Sequence, residues 1–263
     1  MCTVSFVAAG GRLRAMCNRD ERYTRPAAHP PLVTRAGGLL ALLPLDPCGG
    51  GTWIAGTSAG LVFAVLNGEG PGGAPGLSRG RLILELLESA SLEDAVVGAR
   101  PRCSRDWPAH RLLVADADRV LEHRGGQAGV QVHVHPVHRP QMFTSSSLGD
   151  AVAGPPRRAL FDETVVAAAD PLDGQDAFHR HRWRDRPHLS VHMRRHDAAT
   201  LSITTVDVSP SAVRMRYEPA TELVSQPAMV AIDRRADASP GLALVSTAEA
   251  PSPDGGPVLA VAS

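Results

Sequence analysis

The order of elements predicts a layered α+β fold built on largely antiparallel sheets. Three observations carry this expectation. Strand patterns come first, helical patterns follow, and strands then resume, without the strand–helix alternation of a parallel sheet. The extreme N-terminus reads as a hairpin. A second hairpin pattern occupies Thr200–Val208 and Ala212–Tyr217 near the other end.

The elements follow in order. From Cys2 to Val7 the chain alternates, with Cys2, Val4 and Phe6 on one face and Thr3, Ser5 and Val7 on the other. Ala8-Ala9-Gly10-Gly11 reads as a four-residue turn and Arg12–Asn18 as the return strand. That register pairs Val7 with Arg12 and sets Cys2 opposite Cys17. Glu21–Pro47 is loop-rich with a short strand at Leu39–Leu43. The unbroken apolar run Gly60–Leu66 is a buried strand ending at Asn67-Gly68. Ser78-Arg79-Gly80 opens a helix with Leu82, Ile83, Leu86 and Leu87 on one face, and Ser91-x-x-Asp94 caps another. Strands are expected at Arg111–Ala115, Arg119–His123 and Gln131–His135, and a helix at Ala159–Ala169. Ala177–His196 is basic and histidine-rich without a clean period, and reads as a solvated loop or helix. One domain over 1–247 is expected, followed by a weakly ordered, Pro- and Ala-rich tail at 248–263.

At 263 residues the chain can bury a full core. Lys+Arg and Asp+Glu both total 27, which provides no global field for nucleic acid. No apolar run reaches the roughly 18 residues of a membrane-spanning helix, and no secretory leader pattern is present, so a cytoplasmic protein is expected. Cys2, Cys17, Cys48 and Cys103 form no Cys-x-x-Cys pair, which argues against a thiolate zinc site or a disulfide framework. The expected partner is a small-molecule substrate or ligand, with no metal and no organic cofactor; self-association is left open.

Cys2 is the residue with the sharpest chemistry. Met1 precedes a small side chain, so its removal would leave a chain that begins with cysteine. A thiol and a free α-amine would then share one residue. The thiolate is the nucleophile, and an amine titrating near ~7.7–8 can accept the thiol proton.

Met1-Cys2-Thr3, Cys17-Asn18-Arg19-Asp20-Glu21 and Gly50-Gly51-Thr52-Trp53 resemble the NRDE family, also called transport-and-Golgi-organisation-2-like. The similarity continues through Gly60-Leu61, Leu66-Asn67 and Ser78-Arg79-Gly80, is strong over residues 1–90, and returns at 143–148 and 199–204. That family is placed among the N-terminal-nucleophile (Ntn) hydrolases, near choloylglycine hydrolases and penicillin V acylases. The resemblance implies a four-layer αββα sandwich and hydrolysis of a linear amide by a cysteine nucleophile. As the alternative, it permits a non-catalytic role on the same scaffold, in Golgi organisation or in binding and moving haem, lipid or acyl ligands.

The resemblance carries roles onto particular residues. Cys2 is the implied nucleophile, Asp20 the carboxylate beside its α-amine, and Asn67 the oxyanion donor. Asn18, Arg19, Trp53 and Ser146 are the expected substrate-binding residues. Bland readings stand beside these: Asp20 as a partner of Arg19 or Arg22, Asn67 as the start of an Asn-Gly turn, Trp53 as core. Three positions depart from the relatives. Cys17 stands where they carry an arginine, serines fill Thr144-Ser145-Ser146 where they carry an asparagine, and their late arginine has only Arg194 and Arg195 nearby. Cys17 reads as a small buried hydrophobe or, with Cys2, as a disulfide partner. His133-x-His135-x-x-His138 invites a metal reading, but exposed edge histidines are preferred. The Arg/His stretch containing His179, His181 and His192 admits an anion clamp or a haem ligand beside its bland reading.

Overall fold

The computed structural model describes residues 2–70, 77–102, 107–126, 129–220 and 227–234. The expected boundary at 247, the tail beyond it, and Cys103 lie outside the described residues.

The first sheet contains β1 (Cys2–Ala9), β2 (Arg12–Arg22), β10 (Gln141–Thr144), β11 (Ala198–Val208), β12 (Ala212–Pro219) and β13 (Ala228–Asp233). Its strand order is β10-β1-β2-β11-β12-β13. The second is a meander in chain order, β3 (His29–Ala36), β4 (Leu39–Leu45), β5 (Ile54–Thr57), β6 (Val62–Asn67), β7 (His110–Ala115), β8 (Arg119–Gly125) and β9 (Gln131–Pro136). Every pairing is antiparallel. Helices α1 (Gly80–Leu84) and α2 (Leu92–Arg102) cover the second sheet. Helix α3 (Asp150–Phe161), a π-helical turn (Asp162–Val166) and α4 (Pro171–Arg180) cover the first. The architecture is therefore an αββα sandwich.

Strand periodicity decides what each layer touches. Cys2, Val4 and Phe6 point between the sheets with Leu13, Ala15 and Cys17, where they meet Ile54, Ala64, Leu66 and Leu113. The outward set of the second sheet, including Phe63 and Val65, packs on Leu82, Ile83, Leu86 and Leu87 of the first helical pair and its flank. The outward face of β1 and β2 is different in kind. Only Val7 of β1 joins the apolar cluster of Phe161, Val165 and Phe178, whereas Thr3, Ser5, Asn18 and Asp20 are buried and polar.

Several expectations need correction. The first turn has two residues, not four. Gly10 and Gly11 take φ 57° and 71°, the left-handed pair that a tight hairpin turn needs. Ala9 therefore pairs with Arg12, Val4 with Cys17, and Cys2 with Arg19. The two-residue displacement preserves the faces but makes Cys2 and Cys17 diagonal neighbours rather than opposite ones. Both are free thiols. The helix expected at Ala159–Ala169 begins earlier, at Asp150, and its later part is the π-helical turn. The stretch from Ala177 begins inside α4, an amphipathic helix capped by Asp170, whose carboxylate accepts from the Leu172 and Asp173 amides. Strand β3 forms despite Pro30 and Pro31 because it lies at the sheet's edge, where a missing N–H leaves no ladder bond broken. The cap on α2 forms as expected, Ser91 Oγ accepting from the Asp94 amide at 3.1 Å.

Candidate active site

Cys2 opens β1 at the end of the first sheet. Its carbonyl accepts from the Ser145 amide at 2.9 Å, and its own nitrogen donates to Ser145 Oγ at 3.3 Å. Ser145 follows β10 directly, so the edge strand seats the main chain of the first residue. The side chain is only 6 % exposed, yet it lines a cleft of about 680 Å³. Arg19, Trp53, Asn67 and Ser147 line the same cleft.

The two thiols of the inter-sheet face form a polarised pair. Burial, then the hydrogen bond to Cys2, push the Cys17 thiol well up. That same hydrogen bond, with Cys17 as donor, lowers Cys2 against the opposing effect of its own burial. Cys17 is thus the donor and Cys2 the more readily ionised thiol of the pair. Their diagonal placement puts the backbones about 7–8 Å apart, at the limit of what a disulfide spans without backbone movement.

Two blocks build the opposite wall. Gly51 and Gly80 pack backbone to backbone. A Cβ on Gly51 would meet the Gly80 carbonyl carbon at 2.4 Å, and one on Gly80 would meet the Thr52 oxygen at 2.7 Å. Only glycine fits at either position, so the Gly-Gly-Thr-Trp and Ser-Arg-Gly motifs are two halves of one contact. This contact places Trp53 and the start of α1 at the cleft. The Arg19 guanidinium lies 4.6 Å from the Trp53 ring centroid and donates to Asp46 Oδ2 at 3.1 Å. Arg25 donates to the same oxygen at 2.6 and 3.0 Å. Burial opposes ionisation of Asp46, but the Arg25 hydrogen bonds and the charges of Arg19 and Arg25 outweigh it and hold the carboxyl below its usual range.

Asp20 lies on the other side of β2, beneath the helices, and is 1 % exposed. Thr200 Oγ1 donates to its Oδ1 at 2.6 Å, beside a bulge in β11. Burial raises its carboxyl; the charge of Arg157 and the Thr200 hydrogen bond pull the other way. Asn18 is directed to the same side and away from the cleft. Both of its amide hydrogens are taken, by the His179 and Val191 carbonyls at 2.9 and 2.8 Å, and its oxygen meets His179 Nδ1 at 2.6 Å. Ser146 Oγ accepts from Arg195 at 3.2 Å and Ser147 Oγ from the same guanidinium at 2.7 Å. Cys2, Arg19, Trp53 and Asn67 therefore share a cleft, Ser146 stands beside it, and Asp20 and Asn18 lie behind the strands.

Arg157 is the residue that sequence reasoning missed. It comes from α3, is 1 % exposed, and spreads its guanidinium behind β1. Nη1 donates to Thr3 Oγ1 and Thr144 Oγ1 at 2.9 and 2.6 Å, Nη2 to the Ser190 carbonyl at 2.9 Å, and Nε to the Leu189 carbonyl at 3.0 Å. Burial lowers its proton affinity, and the charges of Asp20 and Cys2 act in the opposite sense. Arg157 thus sets a cation behind β1, on the helix side of the sheet and not on the inter-sheet face that Cys17 occupies. Nothing local distinguishes Arg157 from Arg158, since burial of the first depends on contacts 154 residues away.

His179 is also locked. It is fully buried, with Nε2 2.7 Å from Ser5 Oγ and Nδ1 on Asn18, so neither nitrogen is open to a haem iron. Burial first, then the charge of Arg180, push it down to about 3. The folded chain therefore keeps it neutral, while the unfolded chain protonates near the ordinary value of ~6.5. Its stabilisation is complete above that value. It is lost as pH falls from there towards 3, at about 1.4 kcal/mol per pH unit for one proton. Urea midpoints measured from pH 7 to 4 should drop more steeply for the wild type than for His179→Gln. Of the other histidines of the stretch, His192 Nε2 meets Arg182 at 2.6 Å, the His181 ring stacks edge-on with Trp183 while its buried Nε2 has no hydrogen-bond partner among the described residues, and His196 is exposed. His135 pairs with Glu122 at 3.2 Å. Among the described residues no cluster of three His, Cys, Asp or Glu could hold a metal, and no helix is long and apolar enough to cross a membrane.

Comparison with solved structures agrees with this architecture. Penicillin V acylase from Agrobacterium tumefaciens superimposes with a TM-score of 0.54 at 13 % identity, covering 89 % of this chain and 86 % of that one. A variant of conjugated bile acid hydrolase from Clostridium perfringens gives 0.51 at 11 % identity, covering 89 % and 92 %. An N-acylethanolamine-hydrolyzing acid amidase orthologue from Caenorhabditis elegans gives 0.50 at 12 % identity, covering 78 % and 92 %. These are N-terminal-nucleophile hydrolases, and at such identities the likeness is one of fold. No curated protein matches the chain in sequence. The family model described as "Transport and Golgi organisation 2" matches residues 1–146, which take in β1, the NRDE string, both halves of the glycine contact and Ser145, and the chain belongs to that family.

Proposed function

We propose that the chain is a cysteine N-terminal-nucleophile amidohydrolase acting on a linear amide or related acyl bond. One observation carries the reading: Cys2 pairs a lowered thiol at a cleft with a main-chain nitrogen seated on Ser145 Oγ. Loss of Met1 converts that nitrogen into the α-amine.

The Cys2 sulfur attacks the acyl carbon, and the thiol proton passes to the α-amine. The Asn67 side chain and a backbone N–H hold the oxyanion. The tetrahedral adduct collapses with cleavage of the C–N bond, the α-amine returns the proton to the departing nitrogen, and a thioester remains on Cys2. Water, deprotonated by the same amine, attacks the thioester and releases the acid. Asp20 supports the protonated amine electrostatically from behind β2, with Arg157 fixing its charge.

Incubation with a library of amides and β-lactams should add acyl mass at Cys2, and none in Cys2→Ala. Asn67→Ala should slow acylation by about 10²–10³-fold. Intact mass showing retained Met1 or an acetylated Cys2 would overturn the mechanism and leave a ligand-binding role on this scaffold.

A further inference from the structure

We infer that the Cys2 cleft is built for a substrate bearing an anionic group, a carboxylate or phosphate, held by Arg79 and Arg22. The inference rests on the amidohydrolase reading and names the substrate class for the same site.

The cleft wall carries four arginines, Arg19, Arg22, Arg25 and Arg79, against two carboxylates, Glu21 and Asp46. The acids are already committed. Asp46 takes Arg19 and Arg25, and Glu21 lies 3.9 Å from Arg25. Two cations are left over. Among the described residues neither Arg22 nor Arg79 has a carboxylate partner. Arg79 uses Nε on the Ala109 carbonyl at 2.8 Å, which anchors the guanidinium and leaves its two terminal nitrogens for something else. It is half-buried, and its proton affinity is lowered by burial with no acid to restore it. Its charge reaches His110, where it adds to burial in disfavouring the imidazolium. A guanidinium partly withdrawn from water without a counter-charge is costly, and a planar two-oxygen anion is the group its fork matches. The second cavity, beyond the Asn67–Gly70 turn, has no comparable surplus. Its Arg111 pairs with Glu122 and Asp150, and its Arg124 with Glu122.

Two alkylating reagents of nearly equal size read this directly. Second-order rates at Cys2 are measured with iodoacetate and with iodoacetamide, the site being assigned by peptide mass so that exposed Cys48 is excluded. The wild type should react faster with iodoacetate. Arg79→Gln and Arg22→Gln should each cut the iodoacetate-to-iodoacetamide ratio several-fold while leaving the iodoacetamide rate in place. Protection by inorganic phosphate but not succinate would assign a phosphate, and the reverse a carboxylate. A wild-type ratio at or below one that neither variant changes would overturn the inference and leave the nucleophile reading standing. A Cys2 inert to iodoacetamide would overturn the nucleophile reading instead. In that case thermal unfolding decides the anion site: either anion should raise the midpoint of the wild type and not of Arg79→Gln, and no rise with either would overturn it.

Discussion

Arg157→Met should cost the fold about 2–4 kcal/mol at neutral pH, because it removes a buried donor fork and strands two of its four acceptors. Thr3 Oγ1, Thr144 Oγ1 and the Leu189 and Ser190 carbonyls all receive from this one guanidinium. The two hydroxyls can still bond each other, being 3.0 Å apart, so the two carbonyls are the larger loss. Arg157→Lys would keep the charge but could not reproduce four directed bonds, and should fall between wild type and Met. The deficit should also depend on pH. Burial already raises Asp20, and Arg157 opposes that rise. Without Arg157 the carboxyl moves further up. A raised native carboxyl favours the folded state fully only below the ordinary carboxylate range, and that advantage is lost as pH rises through the range to the folded value. The penalty should therefore be larger at pH 7 than at pH 4. Urea unfolding of the three proteins at both pH values tests this, and a Met variant within 0.5 kcal/mol of wild type at pH 7 (about the scatter of neutral surface changes) would show that the fork is dispensable.

Cys17→Ala should move the pH profile of Cys2 alkylation upward. In the wild type the Cys17 hydrogen bond outweighs burial and keeps Cys2 low. Remove the donor, and burial becomes the largest influence on the thiolate, aided by the charges of Asp20 and Glu21 and opposed by the smaller effect of the N-terminal charge. At a fixed pH below the new value, each unit of upward shift cuts the thiolate fraction about tenfold. The measurement is the iodoacetamide rate between pH 5 and 10, followed at Cys2 by mass. Cys17→Ser retains a hydroxyl donor on the same side of the strand and should recover part of the shift. Loss of packing would not be repaired in that way, so the recovery separates a positioning role from a merely structural one. A profile that stays in place, or moves down, would remove Cys17 from the site. Cys17 itself should stay unlabelled near neutral pH, since burial and the shared hydrogen bond push it up.

Much of the frame was legible in the sequence, and the reason is periodicity. Alternation in β1 assigns Cys2, Val4 and Phe6 to one face, and they do lie together between the sheets. The same logic reads β7, β8 and β12 to within a few residues. The glycines of the Gly-Gly-Thr-Trp and Ser-Arg-Gly blocks were visible as motifs, but their mutual contact was not, because it joins positions 29 apart through backbone alone. Register was misread by two residues because it depends on turn conformation. Ala8-Ala9-Gly10-Gly11 fits a four-residue loop by composition, and only the left-handed pair at Gly10 and Gly11 closes it as two. Asn18 shows a different limit. The NRDE string suggested a ligand contact, yet strand alternation sends Asn18 beneath α4 while Arg19 enters the cleft.

The sequence by itself determined the chemistry available at the first residue and the faces of the strands around it, since both are properties of neighbouring positions. Only the tertiary structure decided which charges reach that residue. Arg157, Thr200 and Ser145 come from three separate elements and converge through sheet order and helix packing. Electrostatic influence depends on distance and burial in space, and neither is encoded within any short window of the chain.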